Sequence, residues 1–224
     1  RSNLAPVFYS NFSALDLVPP SYQAMGYTVL GPLVLSFVQW LSQQAAIDGI
    51  ERVYFLSREG EFLQKVYDIW AKQLDTPVPS QYLVLSRRAV SVPMIHGIEE
   101  IEAIARTAYF ENHVSSFVFE RYGVVLTEGE WASYERLGLL GVDRQVEVVD
   151  AKIDHLKPLL TALMPRILAQ ANAELPGVLA YLDGMGLNGD KKIALVDVGY
   201  SATIQGRLNQ MLGSKVHGYY MVTD

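Results

Sequence analysis

The sequence predicts an α/β fold: a mostly parallel, Rossmann-like sheet with flanking helices and a large helical insertion. Residues 53–56 and 193–196 are continuous apolar runs of the kind found in parallel strands that are buried on both faces. A polar turn and then apolar residues at helical spacing follow each run. Alternating strands and helices favour a parallel sheet, because each helix carries the chain back across a face of the sheet.

The chain divides into a predicted core and a predicted insertion. Residues 1–30 contain scattered prolines and aromatic residues and predict an irregular N-terminal arm. Residues 31–95 and 190–224 hold the strand–helix units and form the α/β core. Residues 96–189 show helical patterns and form the insertion.

The first predicted helix begins near Pro32, a residue that suits the first turn of a helix. Its predicted buried stripe is Val34, Phe37, Val38, Leu41 and Ala45. The longest apolar stretch, residues 28–41, is interrupted by polar residues and is shorter than the roughly 20 residues of a membrane-spanning helix. We therefore predict a core helix and no membrane span.

Two strands are predicted in the first part of the core, at residues 53–56 and 82–85, and each stops at Ser followed by Arg. The helix between them has one apolar face, formed by Leu63, Val66, Tyr67, Trp70 and Leu74. After residue 190 the chain returns to strand, helix and strand, and the first of these strands ends at Asp197.

The insertion contains one clear helix start, because Thr127 and Glu130 fit a capping box. Residues 167–182 are amphipathic. Pro158, Pro165 and Pro176 divide the last long stretch of the insertion, and they predict kinks or separate short helices.

Composition excludes several classes of function. The net charge of −6 argues against nucleic-acid binding, which needs clustered Lys and Arg. The absence of cysteine excludes disulfides and thiolate chemistry and suits a cytoplasmic protein. The four histidines show no metal-ligand spacing. The chain starts with Arg1 and shows no signal-peptide pattern, so we expect a fragment of a longer protein.

Polar residues follow the predicted strands, and the carboxyl ends of parallel strands meet at one edge, where ligands bind. After the first strand come Ser57, Arg58, Glu59 and Gly60. Arg58 can bind a phosphate or carboxylate, and the following helix offers unpaired N–H groups to an anion. The alternative is structural: Ser57 or Glu59 caps the helix while Arg58 pairs with a nearby acid.

We call the polar segment after each predicted strand its tip. The tip of the second strand holds two adjacent arginines. One of two adjacent arginines commonly faces solvent or makes a structural ion pair. We favour Arg87 as the ligand-facing residue. The third tip comprises Asp197, Gly199, Tyr200, Ser201 and Thr203, with Gln205 as a weaker extension. Its acid could orient a hydroxyl, act as a base or bind Mg²⁺, while the hydroxyl side chains could hold phosphate. Alternatively, Ser201 caps a helix and Asp197 is paired internally.

Four stretches in order over residues 31–208 resemble a segment of bacterial proteins identified as predicted hydrolases of the haloacid-dehalogenase (HAD) superfamily. They are GPLVLSFVQWL, VYFLSREGEFLQKVYD, YLVLSRRA and VDVGYSATIQGRL. Those proteins are associated with surface-polysaccharide synthesis, and their phosphatase-like domain precedes this segment. The superfamily's nucleophile loop, D-x-D-x-T, has a degenerate match in Asp197, Gly199 and Ser201, in which the second acid is absent.

A second resemblance is to phosphoribosyltransferases, in which an early strand–loop–helix binds pyrophosphate and a later strand end holds a ribose phosphate. The stretches FLSREGEF and LVDVGYSAT stand in the corresponding order, with a single acid where that family usually has two. This resemblance implies a phosphoribosyltransferase-like fold.

The sequence therefore predicts a domain that binds a phosphorylated sugar or nucleotide-sugar-like ligand in bacterial surface-polysaccharide synthesis. The sequence does not decide whether the domain acts on that ligand as a hydrolase or as a transferase. A different hypothesis is a non-catalytic interaction domain, in which Phe117, Trp131 and Tyr134 recruit a glycosyltransferase or an adjacent hydrolase domain.

Overall fold

A computed structural model describes residues 22–199, 202–213 and 216–222. The described chain contains the following helices and strands in order: α1 (Tyr22–Ile47), β1 (Arg52–Leu56), α2 (Gly60–Ala71), β2 (Ser80–Leu83), α3 (Arg87–Ser91), α4 (Ile98–Ala105), β3 (Tyr109–His113), α5 (Val114–Tyr122), α6 (Glu128–Arg136), β4 (Gln145–Val148), α7 (Lys157–Gly184), β5 (Ile193–Asp197), α8 (Thr203–Leu212) and β6 (His217–Tyr220). The predicted α/β fold class is confirmed.

The described residues fall into two compact units. Within the described chain, the sheet unit comprises residues 22–84, 190–199, 202–205 and 216–222, and the helical unit comprises residues 85–189 and 206–213. The predicted insertion, residues 96–189, lies within the helical unit.

The sheet unit is built on four parallel strands in the order β2-β1-β5-β6. One face of the sheet packs against the predicted stripe of α1, which is buried as expected. Helix α2 contributes Leu63 and Tyr67 to the same core, and the Tyr67 hydroxyl donates to the Val78 carbonyl oxygen at 2.8 Å. The Trp70 indole N–H donates to Ser42 Oγ at 3.1 Å and joins α2 to α1.

Helix α1 begins earlier than the sequence predicts. Residues 22–30 are helical rather than irregular, with a π-helical segment at Gly26–Leu30, and residues 1–21 lie outside the described chain. The prolines that suggested an irregular arm all precede Tyr22, so none interrupts these turns. By length and composition, α1 is the one helix in the described residues that could cross a membrane, since an 18-residue window within it has a mean hydropathy of 1.4.

Strand β2 occupies Ser80–Leu83, two residues before the predicted position at 82–85. The apolar run that marked the strand continues past its end, through Val84, which is 60% exposed, to Leu85, which is buried. The helix α3 begins only at Arg87, after its N-cap Ser86.

The helical unit has its own core around α7, a single helix that runs through Pro165 and Pro176. The expectation of separate short helices is therefore wrong. Leu159, Leu160 and Leu163 before the first proline and Ile167 and Ala171 after it form one buried stripe, so packing holds both parts in register. The predicted capping box of α6 is confirmed, since the side chains of Thr127 and Glu130 bind each other's backbone N–H.

The helical unit also contains a two-stranded antiparallel sheet, β3 with β4, which the sequence analysis missed. The signal was present in β4, where the buried Val146 and Val148 alternate with exposed residues.

Candidate functional site

The strand order of the sheet unit creates a topological switch point between β1 and β5. The chain leaves β1 towards β2 on one side, whereas β5 and β6 lie on the other side of β1. In open parallel sheets, ligands bind outside the carboxyl ends of the two strands at which the order reverses. The β1–β5 register pairs Phe55 with Val196, so the segments that follow Leu56 and Val196 begin side by side.

The β1 tip carries the exposed side chain of Arg58, which makes no ion pair with any described residue. The Ser57 N–H donates to the Leu83 carbonyl oxygen at 3.0 Å and ties the tip to the end of β2. The peptide bond between Ser57 and Arg58 is cis. The guanidinium of Arg58 is therefore available to an anion at the carboxyl edge of the sheet.

Gly60 brings the N-terminus of α2 against the end of β1. A Cβ atom at this position would lie 2.8 Å from the Phe55 carbonyl carbon, which is closer than packed atoms allow. Gly60 is buried, and Glu59 makes no side-chain capping bond to α2. The positive end of the α2 dipole therefore stands at the switch point without a capping carboxylate from Glu59.

The β5 tip carries the half-buried carboxylate of Asp197, which makes no ion pair with another described residue. Its backbone carbonyl oxygen accepts from the Met221 N–H at 3.2 Å. A Cβ atom at Gly199 would lie 3.5 Å from Asp197 Oδ2, so this glycine leaves space beside the carboxylate. Burial, with a contribution from the Asp197 charge, raises the pKa of Tyr220 to about 12.

Gln205 is held by β6 and does not offer its amide to a ligand. Its Oε1 accepts from the Tyr220 hydroxyl at 2.7 Å, and its Nε2 donates to the Val216 carbonyl oxygen at 2.7 Å. A Cβ atom at Gly218 would lie 2.5 Å from Gln205 Oε1, so this glycine makes room for the amide. Gln205 thereby fixes the first turn of α8, where Thr203 is exposed at the first position.

The remaining predicted site residues belong to the helical unit or lie outside the described chain. Tyr200 and Ser201 lie outside the described residues. Arg87 is exposed at the start of α3 and belongs to the helical unit, so we do not include it in the site of the sheet unit. Its neighbour Arg88 forms a structural ion pair with Glu174, which confirms that at least one of the two arginines has a structural role.

No protein-family model matches this chain, and no curated protein is significantly similar to it. Fold and local geometry are therefore the grounds on which a function can be argued.

A magnesium ion fits this edge only together with a ligand that brings its own oxygens. No group of three His, Asp or Glu side chains in the described chain could hold a metal ion. Mg²⁺ is commonly bound by one or two carboxylates, water and substrate phosphates, and Asp197 can supply one carboxylate. The donor set thus suits a metal–phosphate complex and does not suit a metal held by protein side chains alone.

The helical unit has a separate open groove of about 260 Å³ that the sequence analysis did not find. It is lined by Ser115, Ser116, Phe119, Val124, Val125, Leu126 and Trp131. The three aromatic residues expected to form a docking surface are mostly in the core: Phe117 and Trp131 are buried, and Tyr134 packs against the same cluster. The exposed apolar side chains here are Phe119 and Val125.

Proposed function

We propose that the sheet unit binds a phosphorylated sugar or nucleotide-sugar-like ligand at the switch point between β1 and β5. The observation that carries this proposal is the strand order, which brings the Arg58 tip and the Asp197 tip to adjacent positions on one edge. A cation beside a helix N-terminus, and a carboxylate that forms no ion pair with another described residue, suit a ligand with an anionic group and hydroxyls.

Each part of the edge has a role in this proposal. Arg58 and the N-terminus of α2 hold the phosphate, since a guanidinium donates to phosphate oxygens and the positive end of a helix dipole favours an anion. Asp197 accepts from a sugar hydroxyl or contributes to a Mg²⁺–phosphate complex. Thr203 and the segment that contains Ser201 add hydroxyl donors.

The proposal extends to bacterial surface-polysaccharide synthesis on the strength of the resemblance to HAD-superfamily hydrolases. Hydrolysis of a phosphate ester would begin with attack of the Asp197 carboxylate on phosphorus, which breaks the P–O bond to the alcohol and forms an aspartyl phosphate, while the departing oxygen takes a proton from water. A second water would then hydrolyse the aspartyl phosphate, release phosphate and restore the carboxylate. Transfer of a phosphoribosyl group is the corresponding expectation from the second resemblance.

The test is a thermal-shift and calorimetric screen with sugar phosphates, nucleotide sugars and phosphoribosyl pyrophosphate, each with and without Mg²⁺. We expect binding that weakens about 10-fold or more in Arg58→Ala and Asp197→Asn, because each removes a charged hydrogen-bond partner. Lys72→Ala and Asp75→Asn are the controls, since both residues are exposed beyond the C-terminal end of α2. Equal responses of all five proteins to every compound would contradict the site.

A second candidate function is protein recognition by the helical unit. It is favoured by the groove beside α5, where Phe119 and Val125 are 55% and 69% exposed. In this case a glycosyltransferase or an adjacent hydrolase domain contacts the groove. Phe119→Ser then weakens a complex measured with such a partner, whereas Arg58→Ala leaves that complex unchanged.

A further inference from the structure

The chain contains six asparagines, and one of them, Asn188, is followed directly by a glycine. Asn188 and Gly189 lie in the irregular segment between the end of α7 and the start of β5. Both residues are exposed to solvent, as are Asp190 and Lys191. Glycine has no Cβ atom, so the backbone nitrogen of Gly189 is less shielded than that of any other residue type. This step in the sequence is therefore the one at which a backbone nitrogen can most easily reach an asparagine side chain.

Hydrogen bonds hold this segment at its two ends and not in its middle. Before the segment, the buried Leu187 donates its N–H to the Leu182 carbonyl oxygen at 3.0 Å. After it, the Lys192 N–H donates to Glu51 Oε1 at 3.0 Å. No hydrogen bond or ion pair joins residues 188–191 to another described residue. Rotation of the backbone between the two anchors therefore breaks no bond to the described part of the chain.

Two Asp–Gly steps offer a comparison, because aspartate before glycine can undergo the same ring closure. The Gly49 N–H donates to the Ala46 carbonyl oxygen at 3.1 Å, and the Asp48 carboxylate accepts from two side chains. Asp183 and Gly184 lie in the last turn of α7, where the helix directs each N–H along its axis and away from the preceding side chain. Both Asp–Gly steps are restrained, whereas the Asn–Gly step combines the reactive sequence with an unrestrained backbone.

We propose that Asn188 is a site of spontaneous deamidation. The Gly189 backbone nitrogen attacks Cγ of the Asn188 side chain and forms a new C–N bond. The bond from Cγ to Nδ2 breaks, and Nδ2 takes the proton of the attacking N–H and leaves as ammonia. Water then adds to one carbonyl of the resulting succinimide and opens the ring. Opening on one side gives aspartate, and opening on the other gives isoaspartate, in which the main chain continues through the former side chain.

The reaction changes both the charge and the backbone of this segment. Either product carries a carboxylate that is ionised at neutral pH, so the net charge of −6 gains one further negative charge. Isoaspartate also lengthens the main chain by one carbon atom. The chain passes from the helical unit to the sheet unit between Gly189 and Asp190, so the lengthened backbone lies in the link that leads into β5. The inference is independent of the ligand site proposed above, because it uses none of that site's residues.

The first test follows the full chain by peptide mapping and mass spectrometry during incubation at mildly alkaline pH. We expect first-order loss of the peptide that carries Asn188, an equal amount of released ammonia, and products that contain aspartate and isoaspartate. An isoaspartate methyltransferase labels the second product, and this product separates ring closure from direct hydrolysis of the amide, which gives aspartate alone. Asn112 and Asn172 are internal controls, because they precede His113 and Ala173 and should stay intact.

The second test compares the same substitution at two exposed glycines. We expect Gly189→Ala to slow the loss of ammonia by about 10-fold or more, because the added methyl group stands next to the attacking nitrogen. The φ angle of Gly189 is not positive, so alanine fits there without backbone strain. Gly177→Ala is the matched control, since Gly177 is exposed in α7 and has open space at its Cβ position. It should leave the rate of deamidation unchanged.

The third test compares the folded chain with a synthetic peptide of residues 186–191. An unrestrained segment needs no opening step, so the folded chain should react within about 10-fold of the peptide. Three results would overturn the proposal. They are a slower reaction of the folded chain than this limit, products without isoaspartate, and equal rates for the original chain and Gly189→Ala.

Discussion

Gly60, the first residue of α2, lies so close to Phe55 in β1 that a Cβ atom on it would stand 2.8 Å from the Phe55 carbonyl carbon. The neighbour is backbone at the end of a central strand, so it cannot rotate away as a flexible side chain could. The contact sets the distance between the sheet edge and the helix N-terminus that forms half of the proposed site.

Replacement of Gly60 by Ala should destabilise the protein by about 1–3 kcal/mol, because an extra methyl group must displace packed backbone. Urea unfolding measures this change. Gly177→Ala is the matched control: Gly177 is exposed inside α7 with open space at its Cβ position. There the same substitution should stabilise the helix by about 0.5–1 kcal/mol. A neutral Gly60→Ala variant would contradict the tight contact.

The adjacent residues Arg88 and Arg87 should differ in their contribution to stability. Arg88 pairs with Glu174 in a partly buried contact beside Gly123, whereas Arg87 is exposed. Arg88→Ala should lower the unfolding free energy by about 1–2 kcal/mol, and Arg87→Ala should change it by less than about 0.5 kcal/mol. Chemical unfolding of both variants and of Glu174→Gln checks this. Additive losses in the Arg88–Glu174 double mutant would show that the pair is not coupled.

The capping box of α6 gives a third prediction. Thr127→Ala removes the side chain that accepts from the Glu130 N–H at 3.3 Å, so the unfolding free energy should fall by about 1 kcal/mol. Ser133→Ala in the same helix is the control, because the Ser133 hydroxyl donates to the Gly129 carbonyl oxygen and accepts from Arg136, and both partners belong to the same helix. Thermal unfolding of the two variants should therefore separate them. Equal melting temperatures would argue against the box.

The fourth prediction concerns acid stability and the contact between Tyr219 and Asp48, where the Tyr219 hydroxyl donates to Asp48 Oδ2 at 2.7 Å. This hydrogen bond, followed by one from Gln44, lowers the pKa of the Asp48 carboxyl below its ordinary value of 3.8. A carboxyl with a lowered pKa stabilises the folded state above pH 3.8. That contribution disappears as the pH falls through the folded pKa.

Asp48→Asn should therefore be less stable than the original chain at pH 7, and the difference should shrink as the pH falls below 3.8. Urea unfolding at a series of pH values measures it. Asp75→Asn serves as the control, since Asp75 is exposed and forms no ion pair in the described chain. A stability difference for Asp48→Asn that stays constant down to strongly acidic pH would contradict the assignment.

The central strands could be predicted from the sequence because burial on both faces leaves a continuous apolar run. This signal marks β1 and β5, and the polar residues after each run mark the carboxyl edge. It places β2 two residues late, because Val84 prolongs the run although it is exposed. It does not reveal β3, in which no residue is fully buried.

The candidate site could be predicted in part. Residues that follow adjacent parallel strands meet at one edge by geometry, so the sequence places Arg58 and Asp197 near each other once β1 and β5 are neighbours. Strand order depends on tertiary packing, and local sequence does not indicate which strands pair. The prediction of Gln205 as a ligand residue shows a second limit. Its side chain accepts a hydrogen bond from Tyr220 in a different element, and local sequence does not reveal a contact between separate elements.

The pairing of β1 with β5 has a consequence for the time at which the sheet can be completed in the cell. Lys192 and Glu51, which are bonded at the start of these strands, are 141 residues apart in the chain. At a synthesis rate of about 5–20 residues per second, one edge of β1 waits roughly 7–30 s for its partner strand to leave the ribosome. During that interval an open, apolar strand edge is exposed to other nascent chains, and molecular chaperones have their best opportunity to bind it.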